Sequence, residues 1–375
     1  MNPATSSLAW PEVLDPDGIA SPALLLDLGR VELNLGRMLA IAGDPTRLRP
    51  HLKTHKLGEC VAMQVAAGIL KAKVATVAEA EMAALNGVRD VLLAVQPVGP
   101  QALRLARLAR RFPEVTFSAV LDDADALENL ALAIRAVGSP KIGVWVDLDV
   151  GQHRTGIEPG PGADLLVERM QREGSVIFRG LHAYDGHLGM ADVVERERAC
   201  EAAYGPVTAL RERLESRGIR VPTVVAGGSP TFALHARREG VELSPGTTLF
   251  WDAGYGQKLK DLPFEPAAFL LARVISRPGK DRICLDLGHK AVGSEMPHPR
   301  VVFPELGEVE VLGHSEEHLV LRTERASGMR VGTVVMGIPW HICPTVALHQ
   351  EVWVIRDGVV KDRWAVQARA RRLTE

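Results

Sequence analysis

From about Ala20 to Phe250 the chain repeats one pattern, a short β-rich apolar run followed by a longer stretch with apolar residues at three- and four-residue steps. This alternation constrains the fold most, because a parallel sheet with crossover helices buries such runs on both faces. The strand candidates are Ala23–Leu28, Leu48–Lys53, Lys73–Val77, Val91–Val95, Thr116–Leu121, Ile142–Leu148, Phe178–Tyr184 and Val224–Gly227, with Glu242–Leu249 as a possible return. Val31–Ala42, Gln101–Arg111 and Val193–Arg217 carry the helical period. No GxGxxG follows any of these strands, which disfavours an open dinucleotide-binding sheet. The expectation is an α/β fold, a (β/α)8 TIM barrel over residues 20–255.

Beyond Asp252 the pattern changes to extended runs broken by Gly, Pro and Asp: Ala267–Ile275, Arg282–Leu287, Glu308–Val311, His318–Thr323, Val331–Met336 and Glu351–Ile355. These predict a second, smaller C-terminal β domain over 256–375. Because termini commonly lie close together, the N-terminal arm 1–19 is expected to join it.

A formal charge of −2 leaves no basic field for nucleic acid or an anionic membrane. The arginines from Arg104 to Arg111 alternate with Leu and Ala, as on the solvated face of an amphipathic helix. Cys60, Cys200, Cys284 and Cys343 show no paired spacing, and the first thirty residues lack a signal-peptide pattern. The chain therefore reads as cytoplasmic, with reduced thiols. No apolar run approaches the ~20 residues of a membrane span. A small-molecule substrate is the expected partner.

In a (β/α)8 barrel the chemistry sits where the strands end, on the βα loops. RPHLKTHK at Arg49–Lys56 places Lys53 at the end of the second strand candidate, where an apolar wall would depress its pKa and make it a nucleophile. Polar clusters also end later strands: Asp149–Gly156 with its HRTG, His182–His187, the Gly227-Gly228-Ser229 turn and the Pro245-Gly246-Thr247 turn. Backbone N–H groups and hydroxyls of the last two can surround a phosphate. A lysine and two late anion-binding turns together suggest a phosphorylated aldehyde cofactor. In His341-Ile-Cys343-Pro-Thr, an imidazole and a thiolate two residues apart on a strand would face the same way and hold one divalent ion. Two protein ligands leave open positions, as in a catalytic site. Their softness favours Zn2+, with Mn2+, Co2+ or Mg2+ possible.

RPHLKTHK, HRTG, SPGT and HICPT together resemble the fold-type III pyridoxal-phosphate (PLP) enzymes, the alanine racemase-like group, and within it the D-threonine aldolase and D-serine dehydratase branch. The resemblance spans nearly the whole chain. It implies that Lys53 carries PLP and works as the base at Cα, that Arg154 lies near the cofactor's phenolic oxygen, and that Tyr184 and His187 belong to the strand beside its ring. It further implies that Gly228, Ser229, Gly246 and Thr247 cradle the phosphate, that His341 and Cys343 bind the metal, and that the protein is a homodimer. Two departures separate the chain from alanine racemases. Ser244 stands where they carry an arginine facing the pyridine nitrogen, and no tyrosine follows Asp286 to serve as a second base.

The resemblance therefore implies a PLP- and metal-dependent lyase for D-β-hydroxy-α-amino acids. A D-threonine aldolase, which splits its substrate into glycine and an aldehyde, is the first expectation. His187 or a hydroxide on the metal would take the β-hydroxyl proton. The alternative is a D-serine or D-3-hydroxyaspartate dehydratase, giving a 2-oxo acid and ammonia. A non-catalytic PLP-binding homeostasis protein would need neither the β domain nor HICPT. A metal-dependent barrel hydrolase would need an HxH pair on Ala23–Leu28, and there is none.

Overall fold

The computed structural model describes residues 10–375. They fall into two compact units. One comprises residues 39–53, 57–246 and 370–375; the other comprises residues 10–38, 54–56 and 247–369.

In the first unit seven strands run parallel in chain order: Lys71–Val74, Asp90–Leu93, Thr116–Leu121, Ile142–Leu148, Val176–Ala183, Val224–Ala226 and Val241–Leu243. The ring closes through a segment too irregular to be a strand. Leu48 bridges Leu243 and His51 bridges Lys73, both in parallel. The Arg49 N–H donates to the Leu243 carbonyl at 2.8 Å, and the Lys73 N–H to the Pro50 carbonyl at 2.9 Å. Pro50 has no N–H to give, so the ladder is interrupted within this segment.

Leu92, Val120, Trp145 and Val225 pack together in the barrel interior. Near the strands' N-terminal ends lies a charged layer. The fully buried Arg49 gives Nε to Glu242 at 2.6 Å and Nη1 to Asp90 at 2.9 Å. Lys71 shares Glu242, and Arg179 shares Asp90 at 2.8 Å. Helices including Val77–Leu85, Pro100–Arg111 and Ala124–Val137 link the strands. Their starts are capped by side chains: Thr76 accepts from Glu79 N–H at 3.1 Å, and Asp123 from Ala126 N–H at 3.1 Å. Pro100–Arg111 buries Ala102, Leu105, Ala106, Leu108 and Ala109, as its pattern predicts. The C-terminal residues return to this unit, where the Thr374 side chain and the Thr374 and Glu375 N–H groups bond the buried Glu81 carboxylate.

The second unit holds a nine-stranded mixed sheet. Ala23–Asp27, expected as the first barrel strand, belongs here instead. It pairs in parallel with Glu351–Arg356 and antiparallel with Ala268–Ser276. Leu24, Leu25 and Leu26 are fully buried, and such a run looks the same whichever sheet encloses it. Trp10, Val13 and Ile19 pack with Phe269 and Leu271 in this unit's core. Val301–Val302 and Val359–Ala365 are strands that the sequence pattern did not announce.

Removing a buried ion's partner leaves the remaining charges uncompensated, which costs about 3–5 kcal/mol. Arg49→Ala is therefore expected to lower the urea midpoint by that equivalent with an unchanged slope. A variant as stable as its parent would show that the charged layer does not hold the ring closed.

Candidate functional site

Lys53 sits in a single 3-10 turn, Leu52–Thr54, directly after the closing segment. In chain order that segment takes the first place in the barrel, not the second. The barrel unit opens here into a cavity of about 430 Å³ lined by Lys53, Lys73, Asp147, Arg154, His182 and Tyr184 among others. Lining residues such as Ala75, Ala94, Asp122, Asp149 and Tyr184 each lie just past a strand's C-terminal end. This is the rim where barrel chemistry is expected.

Three cations surround one aromatic ring. Lys53 Nζ is 5.9 Å, Lys73 Nζ 5.0 Å and Arg154 Cζ 5.3 Å from the Tyr184 ring centroid. None of the three makes an ion pair with the described residues. The cavity's carboxylates are already engaged. Asp147 bonds His182 Nδ1 at 2.6 Å and the Thr155 hydroxyl at 3.0 Å. Asp149 accepts from the N–H groups of Gly151 and His153 and pairs with the His153 ring at 2.8 Å. Asp122 accepts from Gly156 N–H at 2.8 Å. Gly156 has φ +103°, and a Cβ there would meet Asp149 N at 2.5 Å, so the HRTG loop needs glycine at its end. Burial would raise the Asp147 pKa, but His182 and Thr155 outweigh it and hold the carboxyl low. Burial also lowers the pKa of His182, whose Nε2 is buried without a hydrogen-bond partner. The same desolvation, reinforced by Lys53, brings Lys73 down to about 7.

The two late turns meet within this unit, where Gly246 N–H donates to the Ser229 hydroxyl at 3.1 Å. A Cβ on Gly228 would come 3.0 Å from Tyr184 Cε2. Gly228, Ser229, Gly246 and Tyr184 are thus brought together. Thr247 belongs to the other unit, its hydroxyl 3.8 Å from Cys343 Sγ. His187 is exposed on a turn and is not part of the cavity lining.

HICPT is not a strand. His341 is the N-cap of the helix Ile342–Leu348, and Cys343 lies in its first turn. Pro344 suits the start of a helix, where its missing N–H would have no intrahelical partner. The two side chains still meet. Burial alone would lower the His341 pKa, but Cys343 and Glu295 raise it to about 9. Burial would likewise raise the Cys343 thiol, which His341 and Thr54 hold down instead. Thr54 Oγ1 is 3.2 Å from the sulfur. Glu295 bonds His341 Nδ1, leaving Nε2 as the nitrogen for a ligand.

A second cluster was invisible in the sequence. Asp185, Cys200 and His235 each offer a ligand atom within 4.8 Å of the others, a spacing that suits a metal ion. Their hydrogen bonds are also complete without one. Arg238 donates to His235 Nδ1 at 3.2 Å, so the ring's proton sits on Nε2 and points to Asp185 at 2.8 Å. Burial beside Asp185 pushes the Cys200 thiol up to about 11. The gaps of fifteen and thirty-five residues gave no motif to find. Lys73 was missed for a different reason, since one lysine in a strand candidate carries no chemical signal by itself.

The model for the alanine racemase N-terminal domain matches residues 26–253, and that for a putative serine dehydratase domain matches residues 267–355. A D-threonine aldolase from Arthrobacter sp. is 34% identical over 360 residues, covering 94% of this chain and 93% of the relative. The chain belongs to the alanine racemase-like, fold-type III PLP enzymes, in their D-threonine aldolase and D-serine dehydratase branch. The structure of D-threonine aldolase from Filomicrobium marinum superposes with a TM-score of 0.87 at 31% identity, covering 93% of this chain and 96% of that one. D-threo-3-hydroxyaspartate dehydratase from Delftia sp. HT23 gives 0.80 at 26%, covering 92% and 97%. A cysteine-to-alanine variant of such a dehydratase has been solved in a metal-free form. Membership implies PLP, and the residues present fit it. An amine at the mouth, three cations without carboxylates, a glycine closed against Tyr184 and an unpartnered His182 Nε2 together suit an anionic aromatic aldehyde.

Asp185 is the anchor of its cluster. Burial would raise its pKa, but His235 and Thr231 lower it below the ordinary value. Its contribution to stability is thus complete above about pH 4, the unfolded value, and is lost as pH falls through the lower folded value. Asp185→Asn should flatten the acid limb of a pH–stability curve. An unchanged limb would place the acid-sensitive group elsewhere.

Proposed function

We propose that this protein is a PLP- and divalent-metal-dependent lyase of D-β-hydroxy-α-amino acids, with D-threonine cleavage to glycine and acetaldehyde as its principal activity. The observation that carries the proposal is Lys53 at the barrel mouth beside Tyr184 and an Arg154 that makes no ion pair among the described residues, in a chain 34% identical to a D-threonine aldolase.

When bound, PLP supplies an aldehyde for amines and a ring that draws electrons from Cα, and the ion supplies a Lewis acid for the β-hydroxyl. Lys53 holds the cofactor through Nζ and handles the proton at Cα. Arg154 balances negative charge on the ring oxygen, while Tyr184 supports the ring face. Gly228, Ser229, Gly246 and Thr247 hold the phosphate. His341 and Cys343 hold the ion, favoured as Zn2+, with Glu295 fixing the imidazole's tautomer. His187 gains no support as the hydroxyl's base, being exposed and outside the cavity. The family resemblance supports a homodimer. The four free cysteines support a reducing, cytoplasmic setting, and no helix among the described residues is long and apolar enough to cross a membrane.

The second reading is a dehydratase of D-serine or D-3-hydroxyaspartate. The similarity to a D-threo-3-hydroxyaspartate dehydratase, 32% identical over 249 residues, supports it. There Lys53 would take the Cα proton as the hydroxyl departs, and hydrolysis would give ammonia and a 2-oxo acid.

Incubation of holoenzyme with D-threonine, D-serine and D-3-hydroxyaspartate decides between them. Glycine with aldehyde is expected, whereas ammonia with a 2-oxo acid would establish the dehydratase. Borohydride should fix the cofactor to Lys53; a colourless protein after PLP addition would sink both. Cys343→Ala should lose at least tenfold in metal affinity and nearly all lyase activity while keeping the visible absorbance, with Cys200→Ala retaining its metal. If elemental analysis shows the metal leaving with Cys200 instead, the ion belongs to the buried cluster.

A further inference from the structure

Lys73 is 2% exposed and lines the cavity, and its Nζ has no ion-pair or hydrogen-bond partner among the described residues. A buried ammonium without a counter-ion is costly, and proteins retain one where a ligand completes it. The groups facing it are Arg49 on the closing segment, Lys53 on the turn after it, Asp147, Asp185 and the Tyr184 ring. Asp147 is committed to His182 and Thr155, and Asp185 to His235 and Thr231. Neither carboxylate comes within ion-pair distance of Lys73. The family's cofactor lysine and arginine account for two of the three cations around Tyr184, and Lys73 is the one left over.

We propose that Lys73 is a positioning residue that binds an oxyanion entering this cavity, either on the cofactor or on the substrate's carboxylate. This rests on the cavity being the cofactor site. The ligand-free ammonium, with neighbouring Lys53 opposing it, loses its proton near pH 7. An arriving anion favours the charged form, so binding draws a proton onto Nζ. The position is thus neutral enough to tolerate burial when empty and charged when filled.

The test uses pyridoxine 5′-phosphate, which has the cofactor's phosphate and ring oxygen but an alcohol in place of the aldehyde, so Lys53 cannot bond to it. Titration calorimetry of the full-length apoprotein at pH 8, in buffers of different ionisation enthalpy, should show uptake of roughly nine-tenths of a proton per ligand, as follows from a group that titrates near 7. Lys73→Met should abolish that uptake and weaken binding at least tenfold, while the apoprotein melts at a higher temperature because folding no longer has to discharge a buried amine. Lys73→Arg should keep most of the affinity with no uptake, since its charge does not titrate.

A cofactor oxyanion is indicated by that pattern. A substrate carboxylate is indicated if Lys73→Met leaves pyridoxine phosphate binding alone but raises the KM for D-threonine tenfold or more with kcat within twofold. Folded Lys73→Met, or Lys73→Gln should the former not fold, with wild-type uptake, affinity and KM would overturn the inference. A wild-type protein that binds neither PLP nor its alcohol would instead overturn the cofactor reading, and Lys73 with it.

Discussion

Backbone hydrogen bonds, among them Arg49 to Leu243 and Lys73 to Pro50, join the ends of the parallel sheet. The segment that makes them is short because Pro50 withholds a donor, and it runs at once into the turn bearing Lys53. The Lys53 amine is therefore positioned by ring closure and not by a long loop. Lys73, which donates the second of these bonds, has its own side chain in the cavity. Closure of the ring and convergence of two lysines are one structural event.

The cavity's charges are sorted. Its carboxylates serve the protein, holding the HRTG loop and the His182 ring, while its cations gather round Tyr184 with no ion pair among the described residues. A site built only for stability would pair these groups with one another. Leaving them apart raises the cost of the empty state and lowers it when an anion arrives.

Much of this was legible beforehand. Thr116–Leu121 and Ile142–Leu148 are strands with the expected limits, because length, β-branching and flanking breaks agreed there. Ala23–Asp27 was misassigned to the barrel, since a fully buried leucine run says nothing about its neighbours. Lys53, Arg154 and Tyr184 were found as motif members and do share one cavity. His341 and Cys343 were paired for a mistaken reason, strand alternation, yet they meet across the first turn of a helix. The Asp185, Cys200 and His235 group, like Lys73, depends on distances that sequence spacing does not encode.

The last six residues belong to the same unit as the strands from Lys71 to Leu243. Thr374 and Glu375 satisfy a carboxylate, Glu81, that is otherwise left with Arg111 alone, and Arg104 grips the carbonyls of Arg371 and Glu375. A contiguous fragment ending at Gly246 would therefore leave this buried acid with Arg111 as its one partner among those named, and a bulky group added after Glu375 would press directly on that seam.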